Sequence, residues 1–398
     1  MEEFQDDALR EISRHLPCVA DRDDAADVCR RWRAALSEPL PDPPLPRQLP
    51  WLLLPSADST RACCLFCGTG NDACVIRHKL TATHGARCFG SYNGAWVFLA
   101  RDQIRRHAVV NIRDHCPNRD ARFLYLPDAL ATGLNHGQRD MVILAATLSC
   151  SPDNQNCIGA GIVMQWQFIA GQRQVAFWRM GDPVAMALDA DDMCDASFEV
   201  EDVLFHDGSF RFLTQGAHIR VCTPVVNQTG GLQSISSSLC LFQGREQQSQ
   251  LVPARYLVQS RGSLLMVARY ATQYSRQLPT NGFKVYEMME KPVSKDGTSR
   301  VEYTWRELKC LGGRMLFVGR GCSRSYDVAK YPWSGIEGVY FADDSAFNDT
   351  AMLLRGADDK KYPCSDNGLW SESGTPKVRR CYPVQGPSKT SSPIWLLP

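Results

Sequence analysis

Apolar and polar positions change rhythm once along the 398-residue chain. Near the start, Leu9, Ile12 and Leu16 recur at the i, i+3, i+7 spacing of one helical face, and Pro17 ends the run. Asp21 then has the character of an N-cap with Asp24 three positions on. A second helix is predicted there, with Ala25, Val28, Cys29, Trp32 and Leu36 on one face and Arg30, Arg31 and Arg33 away from it. Two short helices cannot bury such faces alone. From Trp51 onward the helical rhythm is gone. Short apolar runs follow turn residues, opened by Gly94, Gly208, Gly262 and Gly313, and each reads as a strand. These glycines stand 114, 54 and 51 positions apart, and the first interval holds two units, with residues 141–148 starting the one between.

A period in the forties or fifties with several strands per period is that of a β-propeller, whose small sheets bury their faces only against their neighbours. The expected fold is mainly β: a single propeller of four-stranded blades, six of them with seven as the alternative, preceded by a small α-helical module. Residues 312–344 show one unit, with a strand at 315–318, a polar and aromatic stretch read as a surface loop, and a strand at 338–342 closed by Asp343-Asp344. Trp51-Leu52-Leu53-Leu54-Pro55 and Trp395-Leu396-Leu397-Pro398 match as apolar strands at the two ends of the β region. They are expected to share one closing blade, because either alone would leave an open sheet edge. Between helices and strands, residues 37–50 hold six prolines, which excludes a helix interior or central strand and marks an extended connector. The boundaries drawn are 1–37 for the helical module, 38–50 for the linker and 51–398 for the propeller.

Charge narrows the partners. Lys+Arg 44 against Asp+Glu 43 leaves a formal charge of +1, so no polyanion-binding surface is indicated and nucleic acid is not an expected partner. No apolar run approaches the roughly 18–20 residues of a membrane helix, so no membrane is expected either. The first sixteen residues carry five acidic groups and no apolar signal core, which places the expected location in the cytoplasm or nucleus. There the 17 cysteines would stay reduced.

Candidate chemistry is sparse. Cys63, Cys64, Cys67, Cys74, His78, His84 and Cys88 form the densest group of soft ligands, but only Cys64 and Cys67 have metal-ligand spacing and no second pair follows. They read as buried thiols, with no metal and no cofactor. Gly159/Gly161 and Gly319/Gly321 are too short for a phosphate-binding fingerprint. Neither Gly-x-Ser-x-Gly nor His-Glu-x-x-His occurs, and no catalytic residue is assigned. Asp189, Asp191, Asp192 and Asp343-Asp344 lack the spacing of a calcium loop and read as solvated turns. Arg320, Arg324, Tyr326, Lys330, Tyr331 and Trp333 give the basic and aromatic composition of interface anchors and form the candidate target-binding surface. The alternative is that these aromatic rings fold back between blades.

The run Gly-Arg-Gly-Cys-Ser-Arg-Ser-Tyr at 319–326, Tyr331-Pro332 and Gly338-Val339-Tyr340-Phe341 with Asp343-Asp344 resemble the signature of a large plant family in which an F-box-like segment precedes an F-box-associated β-propeller. The similarity continues at 176–182, 212–221, 255–258 and 385–398. Residues 9–35, with Leu16-Pro17, Asp21-Arg22 and Val28-Cys29-Arg30-Arg31-Trp32-Arg33, are similar to the second half of an F-box. The resemblance implies a substrate-recognition subunit of a Skp-cullin-F-box ubiquitin ligase that does no covalent chemistry itself. Leu9, Ile12, Leu16, Pro17, Val28, Cys29, Trp32 and Leu36 would bind the Skp-type adaptor, and through it a cullin, while the propeller holds a protein target. The alternative is a non-catalytic propeller interaction module that does not bind the adaptor, its helices serving as a cap.

Overall fold

A computed structural model describes residues 2–16, 18–37, 48–55, 60–65, 83–112, 122–131, 137–166, 173–188, 196–228, 230–243, 251–271, 279–295, 298–331, 336–383 and 385–398. The chain begins with three helices rather than the two expected: α1 (Glu2–His15), α2 (Val19–Asp27) and α3 (Arg30–Ser37). The second predicted helix is split at Val28-Cys29. Its first half ends on acidic residues with no basic group in the last turn, which opposes the negative end of the helix dipole. Cys18, and not Asp21, stands at the N-cap; Asp21 lies in the first turn. Arg10 donates from Nε to the Ala35 carbonyl at 3.2 Å and Arg31 pairs with Asp6 at 3.2 Å, fastening α1 to α3. Most of the linker, 38–47, lies outside the described residues, but Gln48, Leu49 and Pro50 are already buried.

The β region is a ring of sheets, and each owes its apolar runs to having a neighbour on both faces. The first blade is an antiparallel meander of Arg87–Tyr92, Trp96–Ala100, His107–Asn111 and Phe123–Tyr125. In its second strand Val97 and Leu99 face one core while Trp96, Phe98 and Ala100 face the next, so all five residues are buried. The second blade joins Ala129–Ala131, Gln138–Leu148, Ile158–Gln165, Gln174–Arg179 and Val184–Ala187, and its end strands also pair with each other. The third contains Val200–His206, Ser209–Thr214, Ile219–Val226 and Leu232–Cys240. The fourth contains Phe242–Gln243, Leu251–Ser260, Ser263–Ala271, Thr280–Lys295 and Thr298–Glu307. The fifth contains Arg314–Val318, Arg324–Asp327, Gly338–Phe341, Gly368–Trp370 and Val378–Arg379.

These five full blades are joined by a three-stranded sheet made from both ends of the β region. Trp51–Pro55 pairs with Thr60–Cys63 on one side and with Ile394–Leu396 on the other, in the register Trp51 to Leu396, Leu52 to Trp395 and Leu53 to Ile394. The expected closure therefore holds. The expectation of six equal four-stranded blades does not: among the described residues there are five full blades, three of them with five strands, and the remaining place in the ring is taken by the three-stranded seam. Apolar cores fill each gap between neighbouring sheets, the last one packing Met315, Phe317 and Tyr340 against Leu52, Leu54 and Trp395.

Gly94, Gly208 and Gly262 are hairpin corners, whereas Gly313 lies in the turn that enters the fifth blade. Asp207-Gly208 turns with φ of 49° and 72°, and Arg261-Gly262 with 50° and 80°, the two-residue geometry whose second position glycine takes without strain. In the fifth blade the expected surface loop holds a strand of its own. Arg324–Asp327 pairs antiparallel with Arg314–Val318, which pairs in parallel with Gly338–Phe341. Residues 343–366 then leave this blade as two short 3-10 turns, Ser345–Asn348 and Thr350–Leu354. They place Phe347, Met352, Leu353 and Tyr362 in the core shared by the second and third blades, so this insertion crosses the ring.

Candidate functional site

Where the insertion meets the inner ends of the blades, the ring is polar although it is buried. Asp202, at a bulge in the first strand of the third blade, receives backbone N–H groups from Gly321 (2.6 Å) and Leu257 (2.7 Å), so one carboxyl joins three blades. Burial pushes it up to about 7, against the pull of those donors and of Arg320. Gly321 is bound to this position: a Cβ on it would stand 2.3 Å from the Ala146 carbonyl oxygen.

Arg269 is the other hub. It donates to Thr280 Oγ1 at 2.6 Å, to the Ala342 carbonyl at 3.0 Å, to Asp344 at 3.0 Å and to Asp366 at 2.5 Å. Burial disfavours its charge, but Tyr256, Asp344 and Asp366 outweigh that and raise its pKa further. Burial likewise opposes ionisation of Asp366, and Arg269, Thr280 and Arg380 overcome it, leaving the carboxyl below its ordinary value. Asp343 accepts the backbone N–H groups of Ser365 and Asp366, each at 3.0 Å. Asp343-Asp344 is thus a buried junction and not the solvated turn expected. Asp189, Asp191 and Asp192 lie outside the described residues.

The insertion is held by several blades at once. Arg173 donates to Asn348 Oδ1 at 2.7 Å and lies 4.2 Å from the Phe347 ring centre. Tyr362 donates its hydroxyl to Gln103 at 3.0 Å. Beneath it, Arg87, Phe89, Leu144, Arg320, Phe347 and Ser392 line a cavity of about 90 Å³.

The residues expected on a target-binding surface separate. Arg320 is 6% exposed; it donates to the Glu201 carbonyl, faces Asp344 at 3.3 Å and lies 3.8 Å from the Phe347 ring centre. Tyr331 is 4% exposed, edge-on to Tyr326, which in turn meets Phe317 edge-on. Both aromatic rings pack inward, so neither Arg320 nor Tyr331 is a surface anchor: Tyr326 and Tyr331 join the core between the fifth blade and the closing sheet, while Ser325 and Asp327 bond to Ser260 and Arg261 of the fourth blade. Arg324 ties this strand to the first hairpin through Asn93 at 3.0 Å, Lys330 is exposed 3.9 Å from Asp327, and Trp333 lies outside the described residues.

The expected adaptor residues also divide. Leu9 and Ala35 are buried. Leu16, Trp32 and Leu36 are half-buried and Cys29 is exposed. Ile12 and Val28 are 53% and 63% exposed. Pro17 lies outside the described residues. Cys18 is wholly buried beside Leu53, Ala62, Cys64 and Leu396, so the helices rest on the closing sheet and do not stand clear of the ring.

Of the cysteine group, Cys63, Cys64 and Cys88 are buried, and burial pushes the Cys88 thiol up to about 12. Cys67, Cys74 and His78 lie outside the described residues.

The central network escaped the sequence reading, although a signal for it exists. Arg269 interrupts the apolar strand Ser263–Ala271, and Glu201-Asp202 stands between Val200 and the apolar run Val203-Leu204-Phe205. A charge inside a strand covered on both faces must have a partner deep in the fold.

A family model described as KIB1-4 beta-propeller matches residues 66–367, about three quarters of the chain. The chain belongs to the KIB1-4 β-propeller family. The match reaches from just before the first blade to the insertion, and so covers the hubs around Asp202, Arg269 and Asp344. The helices, the strand Trp51–Pro55 and the closing strand Ile394–Leu396 stand outside the match, and the seam joins the latter two to this KIB1-4 propeller. Nothing among curated proteins matches the chain.

Proposed function

We propose that this KIB1-4 propeller is the target-recruiting subunit of a Skp-cullin-F-box ubiquitin ligase and is not itself an enzyme. The helices would grip the Skp-type adaptor and the propeller a protein target. The observation that carries this is the exposure of Ile12 on α1 and of Val28 at the break between α2 and α3, while Leu9 and Ala35 are buried and Cys18 packs beside residues of the ring. Exposed branched side chains on an anchored bundle, in a segment similar to half an F-box, are the material of a helix-mediated contact. Burying two or three such side chains contributes on the order of 4–8 kcal/mol before the cost of association.

A second reading is favoured by Cys18. Its burial beneath the helices suits a cap on the seam, with the propeller acting as a binding module without the adaptor. Co-purification of the full chain with a Skp-type adaptor separates the two. Recovery of the adaptor, lost on Ile12→Asp and Val28→Asp, supports the ligase role; no recovery with the unmodified chain rejects it.

A further inference from the structure

We propose that the cavity under the insertion is a binding site for a small oxyanion, held by Arg87, Arg320 and Ser392. Two independent features lead there. The first is unanswered hydrogen-bonding capacity. Arg320 gives Nη1 to the Glu201 carbonyl, yet its buried Nη2 has no partner, and neither has the buried hydroxyl of Ser392. Both line this cavity. Buried donors in folded proteins are otherwise almost always satisfied, so two of them around one space describe a missing acceptor.

The second feature is charge. Arg87 is 6% exposed and uses Nε on the Gln103 carbonyl (2.7 Å) and Nη2 on the Ile143 carbonyl (2.8 Å). Lys360, also 6% exposed and near enough to Arg87 to repel it, donates to the Leu353 carbonyl at 2.8 Å. Among the described residues neither cation has a carboxylate within ion-pair distance. The acidic groups on the cavity wall are already engaged: Asp344 with Arg269 and Arg320, Asp349 with Arg355 at 3.5 Å. A buried charge without a counter-ion is strongly disfavoured, and an anion in contact with a guanidinium fork relieves it. The buried guanidinium and hydroxyl groups on the cavity wall suit a carboxylate or a monophosphate.

The test is thermal melting of the full chain in inorganic phosphate and, separately, in acetate, each against chloride at equal ionic strength. The expected result is a saturable rise in Tm with at least one of the two anions. A rise with phosphate alone assigns a phosphate ligand, a rise with acetate alone a carboxylate, and equal rises a general oxyanion site. Ser392→Ala removes one hydroxyl with little disturbance of packing and should weaken the apparent affinity about tenfold; Arg320→Lys, which cannot offer the planar fork, should weaken it at least as much. Lys389→Ala, at the surface, should leave it unchanged. The proposal is overturned by Tm values no higher than in chloride, or by a rise that Ser392→Ala leaves intact.

Discussion

The strand Trp96–Ala100 and helix α1 both carry apolar side chains at short intervals, but they end in different surroundings. All five residues of the strand are buried, because a sheet lies on each side. On α1, Leu9 is covered while Ile12, one turn on, is exposed. The ring repeats its own unit, so an apolar core forms between each pair of neighbouring sheets and the ends of the β region close on each other. The helices have no repeat to meet. Leu9 and Ala35 are buried and Cys18 packs beside the closing sheet, while Ile12 and Val28 stay exposed. Closure therefore concentrates stability in the seam, where a change should be felt most, whereas changes at the exposed residues of the helical segment should hardly be felt by the ring.

The seam gives the largest expected effect. Trp395 is wholly buried, donates its indole N–H to the Val318 carbonyl at 2.9 Å and packs edge-on against Phe317. Trp395→Ala should cost about 3–5 kcal/mol, and removal of residues 394–398 more, since it also takes away the strand paired with Trp51–Pro55. Denaturant unfolding measures both. A truncated chain as stable as the full one would show that the ring does not depend on closure.

Replacing Arg269 by Met probes the ring's polar centre. The change should cost about 3–5 kcal/mol, because it leaves Asp344 and Asp366 buried with fewer partners. A loss comparable to that of an exposed pair, below about 1 kcal/mol, would mean that the insertion is held by its apolar residues alone.

This contrast also explains what the sequence disclosed. Closure was legible in Trp51 and Trp395 because matching apolar strands at the two ends of the β region have few ways to be buried. The turns were legible in Gly94, Gly208, Gly262 and Gly313, which all adopt positive φ, the first three of them at hairpin corners. The roles of Arg320, Tyr331 and Asp344 were not. Basic, aromatic and acidic residues have the same composition at an interface and in a buried network, and only long-range neighbours such as Glu201 and Arg269 tell the two apart. The break in the second helix was hidden for another reason: the apolar spacing from Ala25 to Leu36 continues across Val28-Cys29, while the acidic end of α2 stops the helix.

A smaller effect should follow pH at the junction of the first two blades. His107 is wholly buried, with Nδ1 2.6 Å from Asp128 and Nε2 accepting the Ile143 N–H at 3.2 Å. Nδ1 therefore carries the proton of the neutral ring, and a second proton on Nε2 would remove the acceptor. Burial lowers the pKa below the ordinary 6.5, only partly opposed by Asp128. The neutral form's contribution is complete above the unfolded value of about 6.5 and is lost as pH falls through the lower folded value. Acidification should thus remove about 1–3 kcal/mol that His107→Gln, which cannot titrate, retains. Parallel Tm–pH curves for the two proteins below about pH 6 would assign the acid sensitivity elsewhere.

The smallest expected effect on the ring belongs to the exposed residues of the helical segment. Ile12 and Val28 are more than half exposed, so an aspartate at either position loses little packing, and ring stability should change by no more than about 0.5 kcal/mol. Adaptor capture by the same variants should disappear, because a carboxylate would have to be buried in the new interface without a partner. Cys18→Asp provides the opposite case: it puts a charge among Leu53, Ala62 and Leu396, and should lower the melting temperature through the seam itself. If Ile12→Asp and Val28→Asp instead lowered the melting temperature as Cys18→Asp does, the exposed and buried residues of the helical segment would be energetically alike. The exposed residues would then serve the cap, and the proposed adaptor surface would be lost with the distinction on which it rests.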